Sequence, residues 1–152
     1  MQAAAKHLAT FTLELGGKSP VIIDDTADLD QVGRWLVGGK AGNHGQTCLS
    51  VDYLWAPPER RDDLVDRFTA ALRDAYYADG VFQWQRDGRF VNRRNFDRVK
   101  GYLDQAIERG AKVAFGGKTN AQALVIEPTV LLTCRATATS SVRRSSGRSC
   151  RF

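Results

Sequence analysis

Stretches typical of strands alternate with stretches typical of helices along this chain. The runs rich in apolar and β-branched residues, which favour strands, are 11–15, 21–23, 51–56, 112–115 and 124–132, the last interrupted by Pro128. The helical patterns cover 2–8, 29–36, 58–76 and 95–107. Because strands alternate with helices, the pattern predicts an α/β fold with a mostly parallel sheet.

Several residues predict where the helices begin and end. Asp24-Asp25-Thr26 and Asn95 are candidate N-caps, and Pro58 suits a first helical turn. Gly38-Gly39 and Gly110 are expected to end helices. The apolar residues at helical spacing, expected to face the core, are Leu29, Val32, Trp35, Leu36, Leu64, Val65, Phe68, Leu72, Ala75, Tyr76, Phe96, Val99, Leu103, Ala106 and Ile107.

The last twenty residues differ from the rest of the chain. Residues 133–152 are rich in Ser, Thr and Arg and show almost no periodicity, a composition that predicts a disordered tail. They also carry the whole net charge of +5, because residues 1–134 contain equal numbers of acidic and basic residues. A basic tail favours at most unspecific binding of phosphate, so a specific nucleic-acid partner is not expected.

Length and composition favour one domain in a reducing compartment. The chain has 152 residues, of which 43% are hydrophobic, enough for a single core. It contains neither a membrane-spanning apolar run nor the apolar centre of a secretory signal, so we expect a cytoplasmic protein with no membrane partner. The three cysteines and two histidines show no metal-ligand spacing, and no metal site is expected.

Two residues are candidates for catalysis. Glu14 ends an apolar run at a glycine pair, and Cys48 follows a glycine-rich loop. A carboxylate can accept a proton and a thiol can attack a carbonyl, provided that the fold brings the two groups together. Considered separately, each has a more ordinary interpretation, Cys48 as a small buried side chain and Glu14 as a solvated strand-end carboxylate.

Each candidate residue lies in a longer motif. Residues 12–20 read Thr-Leu-Glu-Leu-Gly-Gly-Lys-Ser-Pro, and residues 43–48 read Asn-His-Gly-Gln-Thr-Cys. The two motifs together resemble the NAD(P)-dependent aldehyde dehydrogenase superfamily. The resemblance covers roughly residues 1–132 and includes Phe-Gly-Gly at 115–117 and Ile-Glu-Pro-Thr-Val at 126–130. Asp-Tyr after the cysteine loop is similar to the coniferyl and fatty-aldehyde branch, which is class 3-like.

The resemblance implies a mechanism for oxidising a small aldehyde with NAD or NADP. Cys48 matches the nucleophile, which forms a thiohemiacetal and then a thioester, and Glu14 matches the base that activates water. Leu15 and Gly16 match positions whose backbone lies near the nicotinamide. Gln46 and Lys18 are expected to have structural roles.

The same resemblance implies that this chain corresponds to only a part of a family member. Residues 1–14 would match the end of the NAD-binding domain, and 15–132 part of a three-layer catalytic domain. The glycine motif for the dinucleotide, the lysine at the adenine ribose and the asparagine of the oxyanion hole belong upstream in the family. The cofactor-ribose glutamate and the segment for homo-oligomerisation belong downstream. We therefore expect little activity from this chain alone.

The tail suggests a shifted reading frame. Codons exist for residues 143–152 whose bases, read one nucleotide earlier, give Glu-Glu-Ile-Phe-Gly-Pro, a motif that follows this strand in the family. We expect residues from about 133 to be translated out of frame.

Three alternatives to an aldehyde dehydrogenase function stay open: a non-catalytic remnant of the pseudogene type, a residual esterase that uses Cys48, and a nucleic-acid-binding protein that acts through its tail.

Overall fold

The computed structural model describes residues 1–86 and 88–132, together with the backbone of 149–151. Its α-helices are α1 (Gln2–Lys6), α2 (Leu29–Leu36), α3 (Arg61–Tyr76) and α4 (Arg93–Glu108). A π-helical turn, Val37–Ala41, and a 3-10 turn, Gly42–Gly45, follow α2 directly. Further 3-10 turns, Pro58–Arg60 and Trp84–Arg86, lie before α3 and α4.

The strands form two larger sheets, which lie side by side, and two short hairpins. They are β1 (Ser19–Ile22), β2 (Val51–Trp55), β3 (Tyr77–Ala78), β4 (Val81–Phe82), β5 (Lys112–Phe115), β6 (Thr119–Asn120), β7 (Val125–Ile126), β8 (Thr129–Leu132) and β9 (Ser149–Arg151). β1 pairs with β2 and β8 with β9 in parallel, whereas β5/β8, β3/β4 and β6/β7 are antiparallel. β9 also lies close to β2, which brings the two larger sheets side by side.

The expectation of mostly parallel pairing therefore holds for β1/β2 and β8/β9 and is wrong for the other pairs. The two hairpins join strands through short turns, and such turns can only reverse the chain direction. Parallel neighbours need a crossover, and α2 with its following turns provides one between β1 and β2.

Helices cover both faces of the sheet and give three layers. Val130 of β8 packs in a core with residues of α2, α3, β2 and β5, whereas Leu131, the next residue, packs with residues of α4. Because successive strand residues point to opposite faces, α2 and α3 lie on one face and α4 on the other. The three-layer arrangement of the sequence analysis is confirmed.

Close backbone packing joins α2 to α3. A β-carbon built on Gly33 would lie 3.1 Å from the carbonyl oxygen of Arg67 and 3.2 Å from the amide nitrogen of Phe68. A glycine at this position therefore lets the two helices approach closely. The buried face of α3 is the predicted one, with Leu64, Val65, Phe68, Leu72 and Tyr76 all inside.

The predicted strand at 11–15 is wrong. Residues 9–18 have no regular secondary structure, and Phe11, Leu13 and Leu15 are exposed. A strand needs a neighbour to pair its backbone amides and carbonyls, and among the described residues none lies beside this segment.

Two helix starts are corrected. Asp28, rather than Asp24-Asp25-Thr26, caps α2 by accepting hydrogen bonds from the amides of Asp30 (2.9 Å) and Gln31 (3.2 Å). Asn92, rather than Asn95, caps α4, because its Oδ1 accepts from the amide of Asn95 at 2.9 Å. In both cases several Asx residues lie close together, and only the backbone conformation selects the one that caps.

Of the two predicted helix ends, one is correct and the other is displaced. Gly38 and Gly39 do not stop the chain's winding after α2, because they lie inside the π-helical turn that continues to Ala41. Gly110 ends α4 as expected, with φ at +90° and its amide donating to the carbonyl of Ile107 at 2.9 Å.

Some apolar residues of the predicted helices and strands are exposed, and one core residue is unexpected. Ile22, Trp35 and Ile107 are exposed, since they lie on faces that no other described element covers. Phe90 is only 1% exposed, although it lies in a polar, irregular stretch with no periodic pattern to mark it.

The tail prediction falls mostly outside the described residues. Of residues 133–152, only the backbone of 149–151 is described, and it forms β9. Parallel pairing with β8 holds their backbone. Among residues 1–86 and 88–132, no helix is long and apolar enough to cross a lipid bilayer.

Candidate active site

Glu14 and Cys48 precede neighbouring parallel strands. Glu14 lies five residues before Ser19, the first residue of β1, and Cys48 lies three residues before Val51, the first residue of β2. Ser19 and Val51 are register partners. Since the two strands run in the same direction, both candidate residues reach the same edge of the sheet.

The two motifs touch each other at Gly17. A β-carbon built on Gly17 would lie 3.1 Å from the carbonyl oxygen of Cys48. Glu14 is three residues before this contact, so its Cα lies within about 11 Å of that of Gly17. The fold thus brings the segment that contains Glu14 against the turn that contains Cys48.

Cys48 lies in an exposed turn with a free thiol. The amide of Ser50 donates to the carbonyl of Thr47 at 3.2 Å and closes the turn around the cysteine. Ser50 itself is buried, and its hydroxyl has no hydrogen-bond partner among the described residues. The ordinary interpretation of Cys48 as a buried side chain is wrong, because the residue is exposed.

The loop before Cys48 has an unusual backbone. Asn43, His44 and Gly45 have φ values of +51°, +55° and +66°. Three consecutive residues in the left-handed region are uncommon, and histidine gains less from local hydrogen bonds there than asparagine does. His44 is fully buried, and its ring packs edge-on against Phe90 with centroids 5.4 Å apart.

Gln46 has the structural role that the sequence analysis expected. Its Nε2 donates to the carbonyls of Asn43 and Arg89, both at 3.1 Å. Its Oε1 accepts from the amide of Val91 at 3.2 Å. The side chain thereby joins the cysteine loop to a segment more than forty residues further along the chain.

Lys18 also has a structural role. Its Nζ lies 3.1 Å from Oδ2 of Asp52, whose carboxylate is only 8% exposed. The pair joins the first motif to β2, the strand that follows Cys48.

Leu15 and Gly16 are exposed beside Glu14, so their backbone is accessible to a ligand. Their expected place beside the nicotinamide end of a dinucleotide stays a prediction. The sequence has no glycine-rich phosphate loop. Two surface clefts lie along α3, and neither is lined by Glu14 or Cys48.

The carboxylates with lowered pKa lie away from this edge. The Thr26 hydroxyl and amide donate to Asp24, at the opposite end of β1, and lower its pKa. The Arg61 guanidinium lowers the pKa of Asp62 on α3. These shifts belong to surface turns and helices rather than to the candidate site.

The Phe-Gly-Gly motif at 115–117 and the Ile-Glu-Pro-Thr-Val motif at 126–130 pack against each other. Gly116 faces the Pro128 carbonyl so closely that a β-carbon there would lie 2.0 Å from its oxygen. The hydroxyl of Thr129 accepts from the amide of Gly117 (3.2 Å) and donates to the carbonyl of Glu127 (2.8 Å). These motifs therefore stabilise the edge of the sheet.

The sequence profile described as Aldehyde dehydrogenase family matches residues 1–141. The chain belongs to the aldehyde dehydrogenase family. AldX of Bacillus subtilis (strain 168) is 47% identical over 136 residues, covering 86% of this chain and 30% of AldX. The rat (Rattus norvegicus) aldehyde dehydrogenase described as dimeric and NADP-preferring is 42% identical over 132 residues, covering 87% of this chain and 28% of the rat protein.

Solved aldehyde dehydrogenases share the fold. Staphylococcus aureus AldH in a substrate-bound state superposes with a TM-score of 0.84 at 32% identity, covering 99% of this chain and 32% of that one. The Mycobacterium tuberculosis enzyme complexed with NAD+ gives a TM-score of 0.78 at 29% identity, over 99% of this chain and 32% of that one. This member of the family thus spans less than a third of the length of these relatives.

The relatives agree with the expected branch. They include family 3 member H1 of Arabidopsis thaliana, 40% identical over 133 residues, covering 87% of this chain and 27% of that protein. The family profile extends past residue 132, where the sequence changes character. The domain boundaries and the shifted reading frame stay predictions.

Proposed function

We propose that this chain supplies the nucleophile and the general base of an aldehyde dehydrogenase, Cys48 and Glu14. The observation that carries the proposal is the contact between the two motifs at Gly17, next to the paired starts of β1 and β2. The exposed thiol and the exposed carboxylate both lie at this edge, where a small aldehyde can approach.

The proposed reaction proceeds through a covalent bond to Cys48. The thiolate Sγ attacks the carbonyl carbon of the aldehyde and forms a thiohemiacetal, whose oxyanion accepts a hydrogen bond from the amide of Cys48. Loss of a hydride from that carbon leaves a thioester. Glu14 then takes a proton from water, the resulting hydroxide attacks the thioester, and the carboxylic acid leaves as the thiolate is restored.

NAD or NADP, when bound, supplies the hydride acceptor. Leu15 and Gly16 would hold the nicotinamide end through their exposed backbone. A rat relative described as NADP-preferring and a tuberculosis relative solved with NAD+ support either dinucleotide. Because the chain offers no phosphate loop, we propose that it oxidises aldehydes very slowly by itself.

Acyl transfer from nitrophenyl acetate tests the two roles without any cofactor. The acetyl group passes from the ester to Sγ of Cys48 and gives the same kind of thioester, which mass spectrometry can locate on its peptide. We expect acetyl on Cys48 that water removes, and accumulation of acetylated protein in Glu14→Gln, because water then lacks its base. Glu108→Gln, an exposed change of the same kind on α4, is the control.

Two results would disprove the assignment of roles. One is acetylation of Cys134 and Cys150 at the same rate as Cys48. The other is deacylation that proceeds equally fast in Glu14→Gln, Glu108→Gln and the unchanged chain. The inactivity of the chain alone is tested separately with benzaldehyde and NAD or NADP, where rapid formation of NADH or NADPH would contradict it.

A second candidate function is a non-catalytic interaction fragment. The observation that favours it is the register pair Ile22 and Trp55, which are 71% and 63% exposed on the outside of β1 and β2. Adjacent exposed apolar side chains of this size are typical of surfaces that another protein covers. Strong binding of a hydrophobic fluorescent dye, lost in Ile22→Ser, together with no acylation of Cys48, would favour this alternative.

A further inference from the structure

The loop that carries Cys48 is supported by a segment remote in sequence. We call residues 42–48 the nucleophile loop and residues 88–91 the supporting segment. Gln46 makes the polar connection between them, since its amide group donates to the carbonyl of Arg89 at 3.1 Å and accepts from the amide of Val91 at 3.2 Å. A side-chain amide thus pairs with the supporting segment as a neighbouring strand would.

An apolar contact lies beside this connection. His44 packs edge-on against Phe90, and Phe90 packs edge-on against Phe96 of α4, with ring centroids 5.4 Å and 6.0 Å apart. The amide of Phe90 donates to the carbonyl of Leu124 at 2.9 Å. The supporting segment is therefore fixed to the α4 layer through its side chains and to the residue before β7 through its backbone.

A third contact lies at the start of both segments. A β-carbon built on Gly88 would lie 3.1 Å from Oδ1 of Asn43, so the loop's first left-handed residue lies directly against the supporting segment. Asn43, His44 and Gln46 thus each meet a different part of residues 88–91. The left-handed backbone of the loop is unfavourable by itself, and these contacts maintain it.

We propose that the supporting segment is a positioning element for the nucleophile, with Gln46 as the residue that transmits its effect to Cys48. Gln46 does not touch the reacting atoms in this proposal, which rests on the proposed role of Cys48. Without the hydrogen bonds of Gln46, the loop leaves its left-handed conformation. The Cys48 thiol then adopts several arrangements, of which the exposed, reactive one is only one. The fraction of molecules ready to react then falls.

The test compares two substitutions at Gln46 in the full chain. Gln46→Met has a similar length and forms none of the three hydrogen bonds of the Gln46 side chain, whereas Gln46→Glu keeps the acceptor for the amide of Val91. We expect hydrogen exchange at the Val91 and Ser50 amides to be roughly tenfold faster in Gln46→Met, as loss of hydrogen bonds favours local opening. Alkylation of Cys48 by iodoacetamide, followed on its peptide by mass spectrometry, should become roughly threefold slower.

The two other variants isolate the cause. Gln46→Glu keeps the acceptor for Val91 but loses the donor to the carbonyls of Asn43 and Arg89, so it should restore part of the protection of Val91 and part of the alkylation rate. A general loss of stability would not produce this rescue. Gln31→Met makes the same change at an exposed position on α2 and should alter neither readout. Circular dichroism on all variants confirms that the fold is retained.

Two results would overturn the proposal. If Val91 exchanges faster in Gln46→Met while Cys48 is alkylated at the original rate, the contact exists but positions nothing. If exchange at Val91 does not change, the hydrogen bond does not hold the loop. Neither measurement needs an aldehyde, an ester or a cofactor, so failure of the proposed function in the acylation test remains distinguishable.

Discussion

Substituting Gly116 by alanine tests the packing of the Phe-Gly-Gly motif at 115–117 against the motif at 126–130. Gly116 has φ at +70°, and a β-carbon added there would lie 2.0 Å from the carbonyl oxygen of Pro128. It would also lie 3.0 Å from the carbonyl carbon of Pro128 and 3.4 Å from the Cα of Thr129. All three atoms belong to backbone, so no side-chain rotation can make room for the methyl group.

Two terms add up to the expected loss of stability. Alanine in the left-handed region costs about 1–2 kcal/mol. An ordinary contact begins near 3.4 Å, so the backbone at Pro128 must move by about 1.4 Å, and overpacking of this kind costs about 1–3 kcal/mol. The movement also pulls on the hydrogen bond from Gly117 to the Thr129 hydroxyl. We expect the free energy of unfolding to fall by about 2–5 kcal/mol.

Gly110→Ala is the matched control. Gly110 has φ at +90°, and a β-carbon there would meet no atom within 4 Å. Only the cost of placing alanine in the left-handed region applies, so the free energy of unfolding should fall by about 1–2 kcal/mol. Urea denaturation followed by circular dichroism measures both variants, and the difference between them isolates the clash. Equal losses in the two variants would refute the reasoning.

Three further predictions concern the candidate site, the N-terminus of α2 and the turn after β1. Gly17→Ala places a methyl group 3.1 Å from the carbonyl of Cys48, so the turn must shift, and acylation of Cys48 by nitrophenyl acetate should slow several-fold. Asp28→Ala removes the cap that accepts from two amides of α2 and should lower the free energy of unfolding by about 1 kcal/mol in urea titrations. Thr26→Ala removes the hydroxyl that lowers the pKa of Asp24, and nuclear magnetic resonance titration should show that pKa rising towards its ordinary value.

Each of these predictions has its own control and contrary result. Gly38→Ala meets no atom within 4 Å and should leave acylation unchanged, so an equal slowing there would contradict the Gly17 argument. Asp25→Ala, also exposed before α2, should leave stability unchanged, and a loss as large as that of Asp28→Ala would disprove the assigned cap. An Asp24 pKa that does not move would show that the Thr26 hydroxyl does not cause the shift.

The sign of the pH effect at Asp24 follows from the direction of its shift. Because the pKa of this carboxyl is lowered in the folded protein, its contribution to stability is present above the unfolded pKa of about 3.9. The contribution is lost as the pH falls through the lower folded value. Thr26→Ala should therefore reduce the steepness of acid unfolding.

The elements with strong local signals were predictable from the sequence. The stripe Leu64, Val65, Phe68 and Leu72 on α3, the glycine end of α4 and the strand at β2 all follow from spacing and turn residues. These signals depend on the residue types alone, because burial of one helical or strand face sets the period.

Elements that depend on a distant neighbour were not predictable in the same way. The segment 11–15 has a strand pattern, yet no described strand pairs with it. Phe90 is buried without any periodicity around it, because the contacts that bury it come from His44 and Phe96. Neither outcome is encoded in the local sequence.

The sequence by itself determined the family and named its candidate residues, because Glu14 and Cys48 lie in specific motifs. It also indicated that Gln46 shapes the loop. Only the tertiary structure decided how these parts meet: the parallel pairing of β1 with β2 brings the two motifs to one edge, and Gly17 touches Cys48 there. It also decided that residues 88–91 contact the loop that carries Cys48, because a contact between segments so far apart in sequence arises only from tertiary packing.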